Sequence, residues 1–295
     1  MQIGSSLGSE TVNPTRNLFP CENLRSRLRQ RLDFLEDVGL DSVEISPDGL
    51  NLIKDGILDK KEASSLLDIL ASYDFSYVVH APMRTSLASP TLLEISEKIV
   101  RSCIDFSNLI DASVLTMHSG YTLSQDRLSE PRALRILVGS LAQCAAYATE
   151  KGVSIGIENG DMGATHICRR TDKLVEVAKN TGKNNVGITL DFSHLYISAN
   201  YYMFDFMDAI KVALPYMIHS HLSDNFGKFD PVSPATHDLV LGYGAMHLPI
   251  GWGCIPYRDV VKTIKKDYRG IYLLEFSRYA EYYHEAIEKL KGFFI

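Results

Sequence analysis

Eight times along the chain, a short run rich in Val, Ile, Leu and Tyr gives way to a longer segment with helical spacing of its apolar residues. The strand-like runs are Gln2–Ser6, Ser42–Ser46, Ser76–His80, Ser113–His118, Val153–Glu158, Val186–Asp191, Tyr216–His221 and Gly270–Glu275. Helical segments are expected at Leu24–Val38, Lys61–Tyr73, Pro90–Ile110, Pro131–Lys151, Thr171–Thr181, Phe204–Leu214, Pro256–Asp267 and Arg278–Lys291. In the first of these, apolar residues stand at 24, 28, 32, 35 and 38, close to a period of about 3.6. Pro90, Pro131 and Pro256 are expected to open their helices, because a first turn does not need the missing N–H. Strands start 30 to 40 residues apart, with a final gap of 54. Eight βα units of this size predict one α/β domain over residues 1–295, a (β/α)8 TIM barrel.

Extra length falls in two places, the opening segment 8–23 and the connection 222–254. The second is too long for a featureless loop in a compact domain, so a functional role is expected there. With 36 acidic against 30 basic residues, the net charge of −6 argues against broad binding to nucleic acid or anionic lipid. A local basic patch stays open. The five cysteines are odd in number, widely spaced and without C-x-x-C. That pattern fits reduced thiols in a cytoplasmic protein rather than a disulfide framework or a thiolate zinc site. No basic segment followed by an apolar core opens the chain, and the longest nearly uncharged apolar stretch, Ile136–Thr149, is too short to span a bilayer.

A barrel gathers its chemistry at the C-terminal ends of its strands. Here the third strand ends in His80, the fourth in His118, the fifth in Glu158, the sixth in Asp191, the seventh in His221 and the eighth in Glu275. A lone buried histidine is ordinarily satisfied by a hydrogen bond. Six ligand-type residues at one mouth need pairing or a cation to offset their desolvation. Their mix of nitrogen and oxygen donors suits Zn²⁺ or Mn²⁺ better than Ca²⁺.

His194 follows Asp191 by three residues, and a turn leaving the strand could aim both into one pocket. His247 opens the glycine-bearing stretch HLPIGWG. His219 reads as an interior side chain below the site, while His166, His237 and His284 read as loop or surface residues. The sequence Gly152–Gly156 spells G-x-S-x-G but starts a strand, so Ser154 is no nucleophile elbow. No P-loop or G-x-G-x-x-G opens a helix, and Lys265–Lys266 reads as a solvated face.

The motifs HAP at 80–82, HSG at 118–120, IEN at 157–159, LDFSH at 190–194, HLSDN at 221–225, HLPIGWG at 247–253 and LLE at 273–275 resemble the xylose-isomerase-like TIM barrel superfamily. That group includes sugar isomerases and epimerases, and the endonuclease IV family acting at abasic sites in DNA. For the isomerases and epimerases, the resemblance implies one metal held by Glu158, Asp191, His221 and Glu275. The endonuclease IV pattern implies a second held by His80, His118 and bridging Glu158, and a third held by His194, an Asp and His247. The matching Asp position holds Ala245, which leaves the third metal two protein ligands unless Asp230 or Asp238 from the long connection substitutes.

Two functions follow. In the first, one or two divalent ions serve an isomerase or epimerase of a small sugar or sugar phosphate, working through an enediolate. Glu158 and Glu275 would be its acid and base, with His194 and Arg84 holding substrate hydroxyls or a phosphate. In the second, clustered metals serve a phosphodiesterase resembling endonuclease IV. His80 and His118 favour the second; Ala245 and the acidic balance favour the first.

Overall fold

The computed structural model describes residues 1–7, 21–163, 165–232 and 239–295. Eight parallel strands close into a barrel in the order β1 (Gln2–Ser6), β10 (Ile271–Leu274), β9 (Met217–Leu222), β8 (Val186–Asp191), β7 (Ser154–Glu158), β6 (Val114–His118), β5 (Ser76–His80) and β2 (Ser42–Ile45). Every expected strand is present. The eightfold alternation thus produces the α/β TIM barrel it predicted.

Helices α1 (Cys21–Asp37), α2 (Lys60–Leu70), α3 (Leu93–Leu109), α4 (Glu130–Glu150), α5 (Thr171–Asn180), α6 (Phe192–Tyr202), α7 (Phe206–Ala213), α8 (Tyr257–Ile264) and α9 (Tyr283–Gly292) accompany the strands. Helix α4 shows why they pack: Ala133, Leu137, Leu141, Cys144, Ala145 and Ala148 form one buried stripe along it. Each fully buried leucine contributes roughly 1.5–3 kcal/mol relative to exposure. Caps set the ends, with Asp59 accepting from the Glu62 N–H ahead of α2 and Asp205 from that of Asp208 ahead of α7.

Three local expectations change. Only Pro131 lies inside a first helical turn; Pro90 precedes α3 by a turn, and Pro256 caps α8 from outside. Helix α6 was not expected, because its apolar residues share no single face: Phe192 and Leu195 pack in the main core, Ile197 with Met162 and Ala245. Between β2 and α2, the short strands β3 (Ile53–Lys54) and β4 (Ile57–Leu58) form a hairpin. Its central pair, Asp55 and Gly56, has φ 52° and 80°, as a two-residue primed turn demands.

The connection after β9 is not featureless. The fully buried Asp224 carboxylate accepts the N–H groups of Asn225, Gly251 and Ile255. Backbone bonds join Asp224 to Leu248 in both directions, and Asn225 Nδ2 donates to Ser193 Oγ at 2.7 Å. Both ends of the connection are therefore tied to the barrel rim.

Inside the barrel, Thr116 and Thr189 share a hydrogen bond of 3.0 Å across Gly156. A Cβ at Gly156 would press into Thr189 Oγ1. Gly156→Ala should lower stability by about 1–3 kcal/mol, read as a lower denaturation midpoint at unchanged slope. An unshifted midpoint would mean that Thr189 can turn aside.

Candidate metal site at the barrel mouth

Parallel strands all point their C-terminal ends at one face, so β5 through β10 deliver side chains at or next to their ends to a common pocket. Glu158, at the end of β7, lies at its centre. Oε1 faces His221 Nδ1 at 3.1 Å and His194 Nδ1 at 3.7 Å; Oε2 faces His80 Nε2 at 3.3 Å and His118 Nε2 at 3.4 Å. Glu275, just beyond β10, brings Oε2 to 3.5 Å from His221 Nδ1 and 3.7 Å from His247 Nδ1.

Asp191 ends β8 and caps α6 at once. Its Oδ1 accepts the His194 N–H at 2.7 Å, which corrects the expected turn: His194 stands in the first turn of a helix. Asn159 locks the two strand ends together, accepting the Asp191 N–H at 2.9 Å and donating to the Asp191 carbonyl at 3.0 Å. The His194 Nδ1–H donates to the Asn159 carbonyl at 3.2 Å, which leaves Nε2 as the ring's other nitrogen for a ligand.

Burial sets the electrostatics. It would raise the Glu158 carboxyl, but His118 and His221 outweigh it and hold the group well below the usual carboxylate range. Burial pushes Glu275 the other way, upward, only partly offset by His221 and His247. Burial would lower His80, yet Glu44 and Glu158 hold it up at about 9; Asp191 and Glu158 likewise hold His194 at about 9. His118 gains less from its neighbours, and burial takes it down to about 4.

Two carboxylate oxygens, Asp191 Oδ2 and Glu275 Oε2, are buried without a hydrogen-bond partner. Unpaired buried carboxylate oxygens are costly, and a divalent cation would satisfy both. They belong to one group, Glu158, Asp191, His221 and Glu275, whose donor atoms all lie within 4.8 Å of one another. Among the described residues two further groups meet that spacing: His80 with His118 and Glu158, and Glu44 with His80 and His221. The donor set fits a divalent ion such as Zn²⁺ or Mn²⁺.

His80, His118, Glu158, Asp191, His221 and Glu275 thus meet at one end of the barrel, and His194 joins them from the helix after Asp191. His247 stands beside Glu275, donating from Nδ1 to its carbonyl at 2.9 Å, but joins none of the three groups. Its backbone is left-handed (φ 48°), an uncommon state for a residue that is not glycine. Arg84 is exposed on the loop after β5, where its carbonyl accepts from Tyr121 Oη. Ala245 lies buried with Met162 and Ile197 in a small apolar cluster. Asp230 turns its carboxylate onto the Val232 N–H, and Asp238 and His237 lie outside the described residues.

Glu44 was missed. It is the third residue of β2, not the last, yet it is 3% exposed with Oε2 at 3.0 Å from His221 Nε2 and 3.5 Å from His219 Nε2. An acid inside the run Ser42-Val43-Glu44-Ile45, buried at every position, was the available signal. His219 proves to be interior, and His166 is held on a loop by Asp161 at 2.5 Å.

Residues 32–293 match the model of the xylose isomerase-like TIM barrel family, and the chain belongs to that family. An uncharacterized protein of Methanocaldococcus jannaschii, MJ1311, is 25% identical over 263 residues, covering 85% of this chain and 80% of its own. A probable endonuclease 4 of Mesomycoplasma hyopneumoniae strain J is 26% identical over 153 residues, 50% of this chain and 53% of that protein. Among solved structures, a D-tagatose 3-epimerase-like protein superposes at TM-score 0.77 and 22% identity over 100% of this chain and 97% of its own. D-psicose 3-epimerase from Clostridium cellulolyticum H10, solved with D-tagatose, gives 0.73 at 14% identity, covering 99% of each. At such identities the structural likeness is one of fold.

In chelator-treated protein, ¹⁵N-detected histidine titration should find His80 and His194 charged at pH 7 and deprotonating near 9, with His118 neutral down to about 4. All three titrating together near the ordinary value of about 6.5 would contradict this charge arrangement.

Proposed function

We propose that the chain is a metal-dependent isomerase or epimerase of a small sugar or sugar phosphate, with zinc or manganese held by Glu158, Asp191, His221 and Glu275. The observation that carries this reading is the pair of unpartnered buried oxygens, Asp191 Oδ2 and Glu275 Oε2, inside that four-residue group. The likeness in fold to proteins described as acting on ketohexoses supports the choice of substrate class.

A bound divalent ion would polarise a carbonyl and its neighbouring hydroxyl, acidifying the C–H between them. The rest falls to the chain. Burial raises the Glu275 carboxyl, so this group is suited to take a proton and return it. Glu158, the other member of the acid and base pair, is kept ionised chiefly by His118 and His221, with His80 and His194 also beside it. In this reading His194 Nε2 serves a substrate hydroxyl, and Arg84, exposed on the loop after β5, serves a phosphate.

A second reading is a phosphodiesterase, favoured by the His80–His118–Glu158 group, which a one-metal isomerase does not need. Against it, Ala245 is packed among apolar side chains and Asp230 is spent on its own turn.

Elemental analysis of protein purified without chelators separates the two. About one equivalent of metal, lost in Glu275→Ala and kept in His118→Ala, is expected for the isomerase. About two, one of them lost in His118→Ala together with cleavage of abasic DNA, would support the phosphodiesterase. No metal in any preparation would sink both. Glu158→Gln should abolish turnover under either reading.

In a panel of ketoses in D₂O, Glu275→Gln should slow C–H exchange by about 10²–10⁴-fold while the fold persists. Exchange at the wild-type rate would remove Glu275 from the chemistry.

A further inference from the structure

Glu44 lies outside the four-residue group, yet it grips one of its members. The two nitrogens of His221 face opposite ways. Nδ1 is directed at Glu158 Oε1 (3.1 Å) and Glu275 Oε2 (3.5 Å), whereas Nε2 is directed at Glu44 Oε2 (3.0 Å). A neutral imidazole carries one N–H and one lone pair, and the partner of one nitrogen decides the role of the other. A carboxylate opposite Nε2 holds the proton there. That leaves Nδ1, hydrogen-bonded to Glu158 Oε1 at 3.1 Å, as the nitrogen whose proton a cation would displace.

We infer that Glu44 is a positioning residue that fixes the ring orientation and tautomer of His221, so that Nδ1 is the atom presented to a divalent cation. This rests on the metal-site reading above. Glu44 suits the task for three reasons. It sits on β2, three strands round the closed barrel from β9, so the pair joins two strands that do not themselves hydrogen-bond. It is 3% exposed, so water does not compete for the bond. The His221 ring is fully buried and stacked on His80, with ring centres 5.7 Å apart, which restricts it to small adjustments. The alternative is that Glu44 is itself a ligand, together with His80 and His221.

The test measures Zn²⁺ affinity by competition with a chromogenic chelator, for wild type, Glu44→Ala and Glu44→Gln. A glutamine keeps an oxygen that can accept from Nε2–H; an alanine keeps none. Glu44→Ala is expected to weaken Zn²⁺ binding about 10–100-fold at unchanged stoichiometry, with Glu44→Gln recovering most of the loss. In Zn²⁺-loaded, ¹⁵N-labelled protein, the His221 Nε2 proton should be visible and move upfield in Glu44→Gln. That second readout decides the matter if the alanine variant fails to fold. Wild-type affinity in a folded Glu44→Ala variant would overturn the inference alone. Equal losses in both variants, with one ion fewer bound, would make Glu44 a ligand instead. Absence of Zn²⁺ binding by the wild type would overturn the metal-site reading, and this inference with it.

Discussion

The closed parallel barrel brings carboxylates and imidazoles from seven strands to one small buried volume, and their desolvation is the constraint around which the mouth is organised. No single pair meets it. Glu158 is placed among four imidazoles, and each of those touches a second acidic or carbonyl group in turn or lies against another ring. Where that web stops short, at Asp191 Oδ2 and Glu275 Oε2, the remaining negative charge calls for a cation from outside the chain. The same web fixes the division between a carboxylate that stays charged and one whose carboxyl is raised.

Rigidity at the mouth comes from side chains serving two purposes. Asp191 terminates a strand, caps the helix that follows and keeps one oxygen free. Because the cap bond runs to the His194 N–H, the position of His194 is set by the same carboxylate. Asn159 makes a two-point bond to the Asp191 backbone, so neighbouring strand ends cannot slide relative to each other. Such local bonds hold donor atoms more closely than packing alone would.

Much of this was legible in the amino-acid order. Short apolar runs alternating with segments of helical period located all eight barrel strands, and strand-end position alone singled out His80, His118, Glu158, Asp191, His221 and Glu275. Glu44 escaped because strand-end reasoning looks only at the last residue, whereas a barrel interior also receives alternate residues further back. Helix α6 escaped because a helix fed directly from a strand end, with a polar second half, carries little amphipathic signal. The role of Asp224 was invisible for another reason: its three N–H partners come from residues as far as 31 positions away, and nothing in local spacing encodes that.

Asp224 gives the long connection after β9 an architecture of its own. Its carboxylate gathers the start and the return of that connection at one point on the rim, so the excursion between them begins and ends at a fixed clasp. Closure entropy grows only slowly with loop length, so residues can be added to or removed from such an excursion at little thermodynamic cost. A change of length ahead of His247 would therefore leave the donor atoms of His221 and Glu275 in place, while His247, at the return, still bonds the Glu275 carbonyl. A scaffold arranged in this way can exchange one recognition loop for another while its charged centre stays unchanged.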